Sequence, residues 1–183
     1  MGVVSPGAYD TVIVDTAPTG HALRLLEMPD MAREWVQLLL RVLLKYRNLV
    51  HPGRLATELV ALSTSIRALR EQLRDPAITR FVVVTRAAEV PRLETGRLLD
   101  RLRRLKLPVP AIIVNALTRA PGRCRWCLAT AAAEKRELTA IAHVCRRRSR
   151  DCAIIQAPLA APPPCGIPAL DRWASRWQLT STA

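Results

Sequence analysis

Three short runs recur along the chain: Phe81-Val-Val-Val-Thr85, Ala111-Ile-Ile-Val-Asn115 and Ala153-Ile-Ile-Gln156. Each is apolar almost throughout and ends on a polar residue, and helical periodicity fills the gaps between them. A strand that is apolar at consecutive positions, not every second one, must be covered on both faces. Helices between such strands act as crossovers and cover the sheet. The expected fold class is therefore α/β, a mainly parallel sheet with helices on both faces. A fourth run, Tyr9 to Val14, stops at Asp15 and predicts a further strand, the first of the chain. Ligands of such sheets bind at the C-terminal ends of strands. Asp15, Thr85 and Asn115 stand at those ends.

A turn-rich loop, Asp15 to Gly20, and a short helix from His21 follow the first run. Asp30 reads as the N-cap of a helix to about Leu49. Glu34, Gln37, Arg41, Lys45 and Asn48 form its one polar stripe, so burial over most of its circumference is expected. The next helix, about 54 to 74, carries a three-four seam of Leu55, Leu59, Leu62, Ile66, Leu69 and Leu73, suited to packing along another helix. Further helices are expected at about 89 to 105 and 126 to 147, and a last one ending near Gln178. The whole, 1 to 183, reads as one domain with a helical insertion, residues 30 to 74, after the first strand.

The formal charge is +13, yet only three of the 28 cations are lysine. Many of the arginines, such as Arg97, Arg101, Arg103 and Arg104, fall on the polar face of one helix, which reads as solvation more than as a nucleic-acid surface. No stretch is long enough to span a bilayer; the most apolar, Trp35 to Leu44, is broken by Arg41. Met1 to Pro6 lacks the charged start of an export signal. Five cysteines without such a signal point to a reducing, cytoplasmic setting, with free thiols or metal binding rather than disulfides.

The segment Asp15-Thr-Ala-Pro-Thr-Gly20-His21 concentrates the chemistry. A carboxylate directly after a buried strand suits Mg²⁺ beside a phosphate. A glycine a few residues on lets backbone N–H groups approach an anion. This segment, with Leu23-Arg24-Leu25-Leu26 after it, resembles the signature of the ArsA-type ATPases, P-loop NTPase-like proteins that serve anion efflux or membrane-protein targeting. Leu73-Arg-Asp75-Pro76, Glu94-Thr-Gly-Arg97, the strand ending in Asn115, Cys124-x-x-Cys127 and Pro158-Leu159 with Gly166 follow in that family's order. The resemblance spans about Tyr9 to Trp177. It implies a second nucleotide-sensing switch, an ATP and Mg²⁺ cofactor pair, and ATP hydrolysis. Asp15 and Gly20 take the catalytic positions. Asp15, Thr16, Pro18, Gly20, Asn115, Pro158 and Leu159 take the nucleotide-contacting positions, with Asn115 on the adenine edge.

Two departures accompany the resemblance. No Gly-rich loop ending in Lys-Ser or Lys-Thr is present; Gly2 to Gly7 has the glycine spacing, but Ala8-Tyr9 follow. The closing loop reads Pro162-Pro-Pro-Cys165-Gly166, where the family has an acidic and a basic residue. The chain therefore reads as the C-terminal half of such an ATPase, inactive alone. The alternative is a non-enzymatic basic module for nucleic acid or an anionic membrane surface.

Cys124 and Cys127 can reach one metal. A complete Zn²⁺ site would need a second subunit's pair, as the family's eukaryotic targeting branch provides, or Cys145 and Cys152 of the same chain; a metal-free dithiol is the third reading. The resemblance also implies a homodimer and a membrane-protein or efflux-channel partner. The apolar helices at 30 to 74 correspond to its effector region and would either line a groove for an apolar helix or pack on each other. No cysteine lies before Cys124, so an arsenite site there has no ligands.

Overall fold

The computed structural model describes residues 9–16, 19–46, 53–119, 123–148 and 152–180. Its elements run α1 (Thr19–Lys45), α2 (Gly53–Arg74), β1 (Val82–Arg86), α3 (Glu89–Arg104), β2 (Ala111–Leu117), α4 (Arg125–Arg148), β3 (Ala153–Pro158), α5 (Ile167–Ala174) and β4 (Gln178–Thr180). The sheet has the order β1-β2-β3-β4. β1, β2 and β3 are parallel, joined through α3 and α4 as crossovers, and β4 closes antiparallel on β3. This is the mostly parallel α/β arrangement of the P-loop NTPase-like class.

The three recurring runs are the three parallel strands. Val82 pairs with Ala111 and Ala111 with Ala153, so their apolar centres align. Ile112, Val114 and Ile154 are buried, and with Val83, Leu99, Leu102, Leu107, Ile141 and Cys145 they form the core beneath α3 and α4. On the other side of β1, Val82 and Val84 are exposed, and β1 is an edge strand. Inside that core, Thr95 on α3 donates to Thr85 on β1 at 2.8 Å, which pairs two buried hydroxyls that would otherwise be costly.

Four expectations are corrected. First, Tyr9 to Val14 is not a strand; Tyr9, Val12, Ile13 and Val14 are exposed and outside the sheet. A β-favouring run becomes a strand only when a neighbour supplies its hydrogen bonds, and among the described residues none does. Second, the short helix expected from His21 and the helix expected from Asp30 are one continuous helix, Thr19–Lys45, with Pro29 within it. Asp30 caps nothing. Its carboxylate instead pairs with Arg70 at 2.6 Å and Arg74 at 3.5 Å on α2, a tertiary partner that local capping statistics cannot see. Third, burial of the hairpin formed by α1 and α2 is narrow. Among the described α1 side chains only Leu23, Pro29 and Val36 are buried, while Met28, Met31, Trp35, Leu39 and Val42 are exposed. On α2, Ile66 is buried and Leu59 and Leu73 are half-buried; Leu55, Leu62 and Leu69 are exposed. Half the seam is covered, Leu73 against the sheet core, and half is exposed. Fourth, the last helix stops at Ala174, and the tail turns back as β4.

The hairpin is tied to the sheet layer by polar contacts. Arg101 of α3 pairs with Glu27 at 3.0 Å, and Arg74 Nε donates to the Leu105 carbonyl at 3.0 Å. α3 itself ends in a paired-bond C-terminal turn. Leu107 N–H donates to the Leu102 carbonyl and Lys106 N–H to Arg103, with Lys106 in the left-handed region at φ 60°.

Candidate functional site

The C-terminal ends of β1, β2 and β3 converge at one end of the sheet. There β2 departs from regular pairing, with a register shift between Val114 and Leu117. Ala116 sits at φ 57°, which costs a residue with a Cβ about 1 kcal/mol. Three contacts hold it. Ala116 N–H donates to Asn115 Oδ1 at 2.7 Å. Thr118, just past the strand, donates its N–H to Glu134 Oε2 at 2.7 Å and its hydroxyl to Oε1 at 3.0 Å. Leu159 N–H donates to the Leu117 carbonyl at 2.8 Å, drawing the end of β3 onto β2.

Pro158 and Leu159 are thereby placed beside Leu117, two residues beyond Asn115 on β2. Asn115 lines a cavity of about 330 Å³ with Thr85, Arg86, Pro91, Glu94 and Leu98. Ala116 lines a second, of about 780 Å³, with Arg86, Glu89, Glu134, Arg136 and Glu137. Arg92 crosses from α3 to α4 to pair with Glu137 at 2.8 Å. The Trp173 indole donates to the Pro158 carbonyl at 2.8 Å and stands edge-on to Trp177, 5.0 Å between centroids. Gly166 opens α5 at φ 76°, a conformation that only glycine adopts at ease. The Pro-rich closing loop is thus held between Pro158 and the start of α5.

Asp15 and Thr16 are exposed and outside the sheet. Pro18 lies outside the described residues, and Gly20 falls within the first turn of α1, so the expected loop is shorter than Asp15 to Gly20. An exposed carboxylate is free to take a hydrated Mg²⁺.

Cys124 and Cys127 flank the start of α4. Cys127 N–H donates to the Cys124 sulfur at 3.4 Å. That backbone bond, followed by the hydrogen bond the Cys127 thiol donates, lowers the Cys124 pKa, while donating to Cys124 raises that of Cys127. The pair is exposed or half-exposed and has the spacing for two metal ligands. Among the described residues no third His, Cys, Asp or Glu joins it. Cys145 and Cys152 cannot complete the site, because they are joined to each other in a buried disulfide. This removes the single-chain zinc arrangement and corrects the expectation that all five cysteines are free. The α4 C-terminus and the β3 start bring the two sulfurs together, a juxtaposition that sequence spacing does not reveal.

Glu134 is the site residue that sequence reading missed. A signal existed: Cys127, Ala131, Glu134, Leu138, Ile141 and Cys145 recur at three-four spacing on α4 and all are buried or half-buried. A carboxylate in that otherwise apolar stripe must have a partner.

A mostly parallel α/β layer with unusual backbone and polar side chains at its strand C-termini is consistent with the P-loop NTPase-like fold class. The sequence profile of the anion-transporting ATPases matches residues 1–178, and the chain belongs to that family. It is 31% identical over 163 residues to the ATPase GET3 of Zygosaccharomyces rouxii, covering 84% of this chain and 45% of the relative. It is 29% identical to an ATPase ASNA1 homolog of Trypanosoma cruzi, covering 91% of this chain and 50% of the relative. A Paramecium tetraurelia ASNA1 homolog shares 26% identity over 75% of this chain and 47% of its own. The chain thus spans about half the length of the curated relatives it matches.

Proposed function

We propose that this polypeptide is the switch-and-base-binding part of an ArsA-type ATPase, in which ATP binding and hydrolysis drive membrane-protein targeting or anion efflux. The observation that carries the reading is the irregular end of β2, where Asn115 lines a cavity and Leu117, two residues on, pairs with Pro158 and accepts from the Leu159 N–H, in a chain whose family is that of anion-transporting ATPases. An amide presents both donor and acceptor to a base edge, and Pro158 and Leu159 supply an apolar border. Asp15 would hold Mg²⁺, with Thr16, Pro18 and Gly20 along the same segment as the switch. When bound, the metal would neutralise phosphate charge.

The residues present fit the base and the metal but not the phosphate chain, since the sequence contains no Gly-rich loop ending in Lys-Ser or Lys-Thr. The purified 183-residue polypeptide therefore has no ATPase turnover by phosphate release; turnover that disappears in Asp15→Ala would overturn this. Residues 30 to 74 form the effector subdomain, whose exposed apolar side chains on α1 and α2 suit a membrane-protein segment or efflux-channel partner. Cys124 and Cys127 of two copies would bind one Zn²⁺ in a homodimer. Metal analysis alongside mass in solution, before and after Cys124→Ser, tests this; absence of metal with no change in mass rejects it.

A further inference from the structure

We infer that Glu134 is a positioning residue that holds the ligand-contacting end of β2 in its bound shape. The inference rests on the proposal that a nucleotide base is read at Asn115. Asn115 is attached to a backbone that does not hold its own conformation: Ala116 beside it is left-handed without being glycine, and the pairing of β2 with β3 slips there. Such an arrangement persists only where surrounding contacts over-determine it. One is internal, the Asn115 Oδ1 that accepts the Ala116 N–H. The Asn115 amide N–H groups make no hydrogen bond within the described residues, and Asn115 lines the cavity of about 330 Å³. The contact from outside β2 and β3 is Glu134. Both its carboxylate oxygens are used, one on the Thr118 N–H and one on the Thr118 hydroxyl, and both residues are partly buried.

The geometry gives Glu134 a task that core packing does not need. An apolar residue would suit its place in the α4 stripe better, because a half-buried carboxylate must be compensated. Its compensation is spent on the residue that follows the slipped end of β2, three positions from Asn115. Two charge-assisted hydrogen bonds to one residue set both its position and its orientation. α4 is thus the rigid support, Thr118 the tether, and the Asn115–Ala116 segment the part that is pre-shaped. Pre-shaping a contact before ligand arrives removes the cost of ordering it on binding. Glu134 need not touch the ligand to do this.

The test is a nuclear magnetic resonance titration of the full 183-residue chain with ATP, following the Asn115 side-chain amide and the Leu117 and Thr118 backbone amides. GTP serves as the comparison ligand. Glu134→Ala is expected to weaken ATP binding about tenfold, the scale of a lost hydrogen bond to a charged group. Glu134→Gln retains an oxygen for the Thr118 N–H and an amide for its hydroxyl, and is expected to restore affinity to within about threefold. Thr118→Ala, which removes only the hydroxyl half of the tether, is the variant to read if Glu134→Ala does not fold, and should weaken binding about threefold. Unfolding would flatten every resonance, whereas loss of positioning moves the Asn115 to Thr118 signals and leaves those of Ile154 and Ile155 in place. Wild-type affinity in Glu134→Ala, or Glu134→Gln as weak as alanine, overturns the inference. If the wild-type chain shows no saturable ATP shift at Asn115, the base-binding reading fails and the positioning role falls with it. That outcome is recognised before any variant is made.

Discussion

At the scale of single residues, the unusual backbone positions divide into two kinds. Lys106 is left-handed because α3 must end there, and its side chain is exposed. Nothing near it uses the lysine side chain for the turn, so Lys106→Gly is expected to stabilise the fold by about 1 kcal/mol, read as a rise of several degrees in Tm. Ala116 is left-handed beside Asn115 and is held by the Asn115 side chain within the turn and, through Thr118, by Glu134 from outside it. The cysteines divide in the same way. Cys145 and Cys152 are buried and bonded, whereas Cys124 is exposed with a sulfur that accepts an N–H. The fold lowers the Cys124 pKa, so below the ordinary thiol value the folded chain carries more of its thiolate than the unfolded chain does. In metal-free buffer near neutral pH, iodoacetamide should therefore modify Cys124 before Cys127, whose pKa is raised, and unfolding should slow the Cys124 reaction. Mass spectrometry of the cleaved peptides reads both.

At the scale of elements, periodicity located most helices and strands, and tertiary partners decided their ends. Ala88, the extended residue just before α3, has no side chain to cap the first turn. Ala88→Ser is expected to add about 1 kcal/mol, measured by urea unfolding, with an unchanged slope. α1 shows the opposite case. Asp30 has the composition of a cap, but α2 lies opposite it and Arg70 and Arg74 take its charge. Asp30→Ala leaves those two partly buried arginines without their counter-ion, and should cost about 1–3 kcal/mol and loosen α1 from α2. Hydrogen exchange faster across α1 and α2 than across β2 would show that the loss is local; uniform acceleration would contradict it. The Tyr9 to Val14 run makes the same point for strands. Its side chains favour a sheet, yet a strand's hydrogen bonds all lie with its neighbour.

At the scale of the whole molecule, two groups of exposed apolar side chains stand out among the described residues. One is the outer face of the hairpin, with Met31, Trp35 and Val42 on α1 and Leu62 and Leu69 on α2. The other is the Val82 and Val84 side of the edge strand β1. Apolar area of this extent binds hydrophobic probes. Met31→Ser, Trp35→Ser and Val42→Ser together should lower the fluorescence of a bound hydrophobic dye while changing Tm by little, because these side chains are already in water. A large fall in Tm would mean that they are buried. No helix among the described residues is long and apolar enough to cross a membrane, so these are faces of helices and not spans. By itself the sequence determined the parallel α/β layer, because strands apolar at consecutive positions, separated by helices, have few other ways to bury themselves. It also marked Asn115 as a strand-end polar residue and Cys124 with Cys127 as a pair, since spacing alone places those, whereas Asp15 does not end a strand. Only the tertiary structure decided the bonding of Cys145 to Cys152, the pairing of Asp30 with α2, and the hold of Glu134 on Thr118. Each of these is a contact between residues whose distance in space is set by how helices pack on the sheet, and local pattern carries no record of that packing.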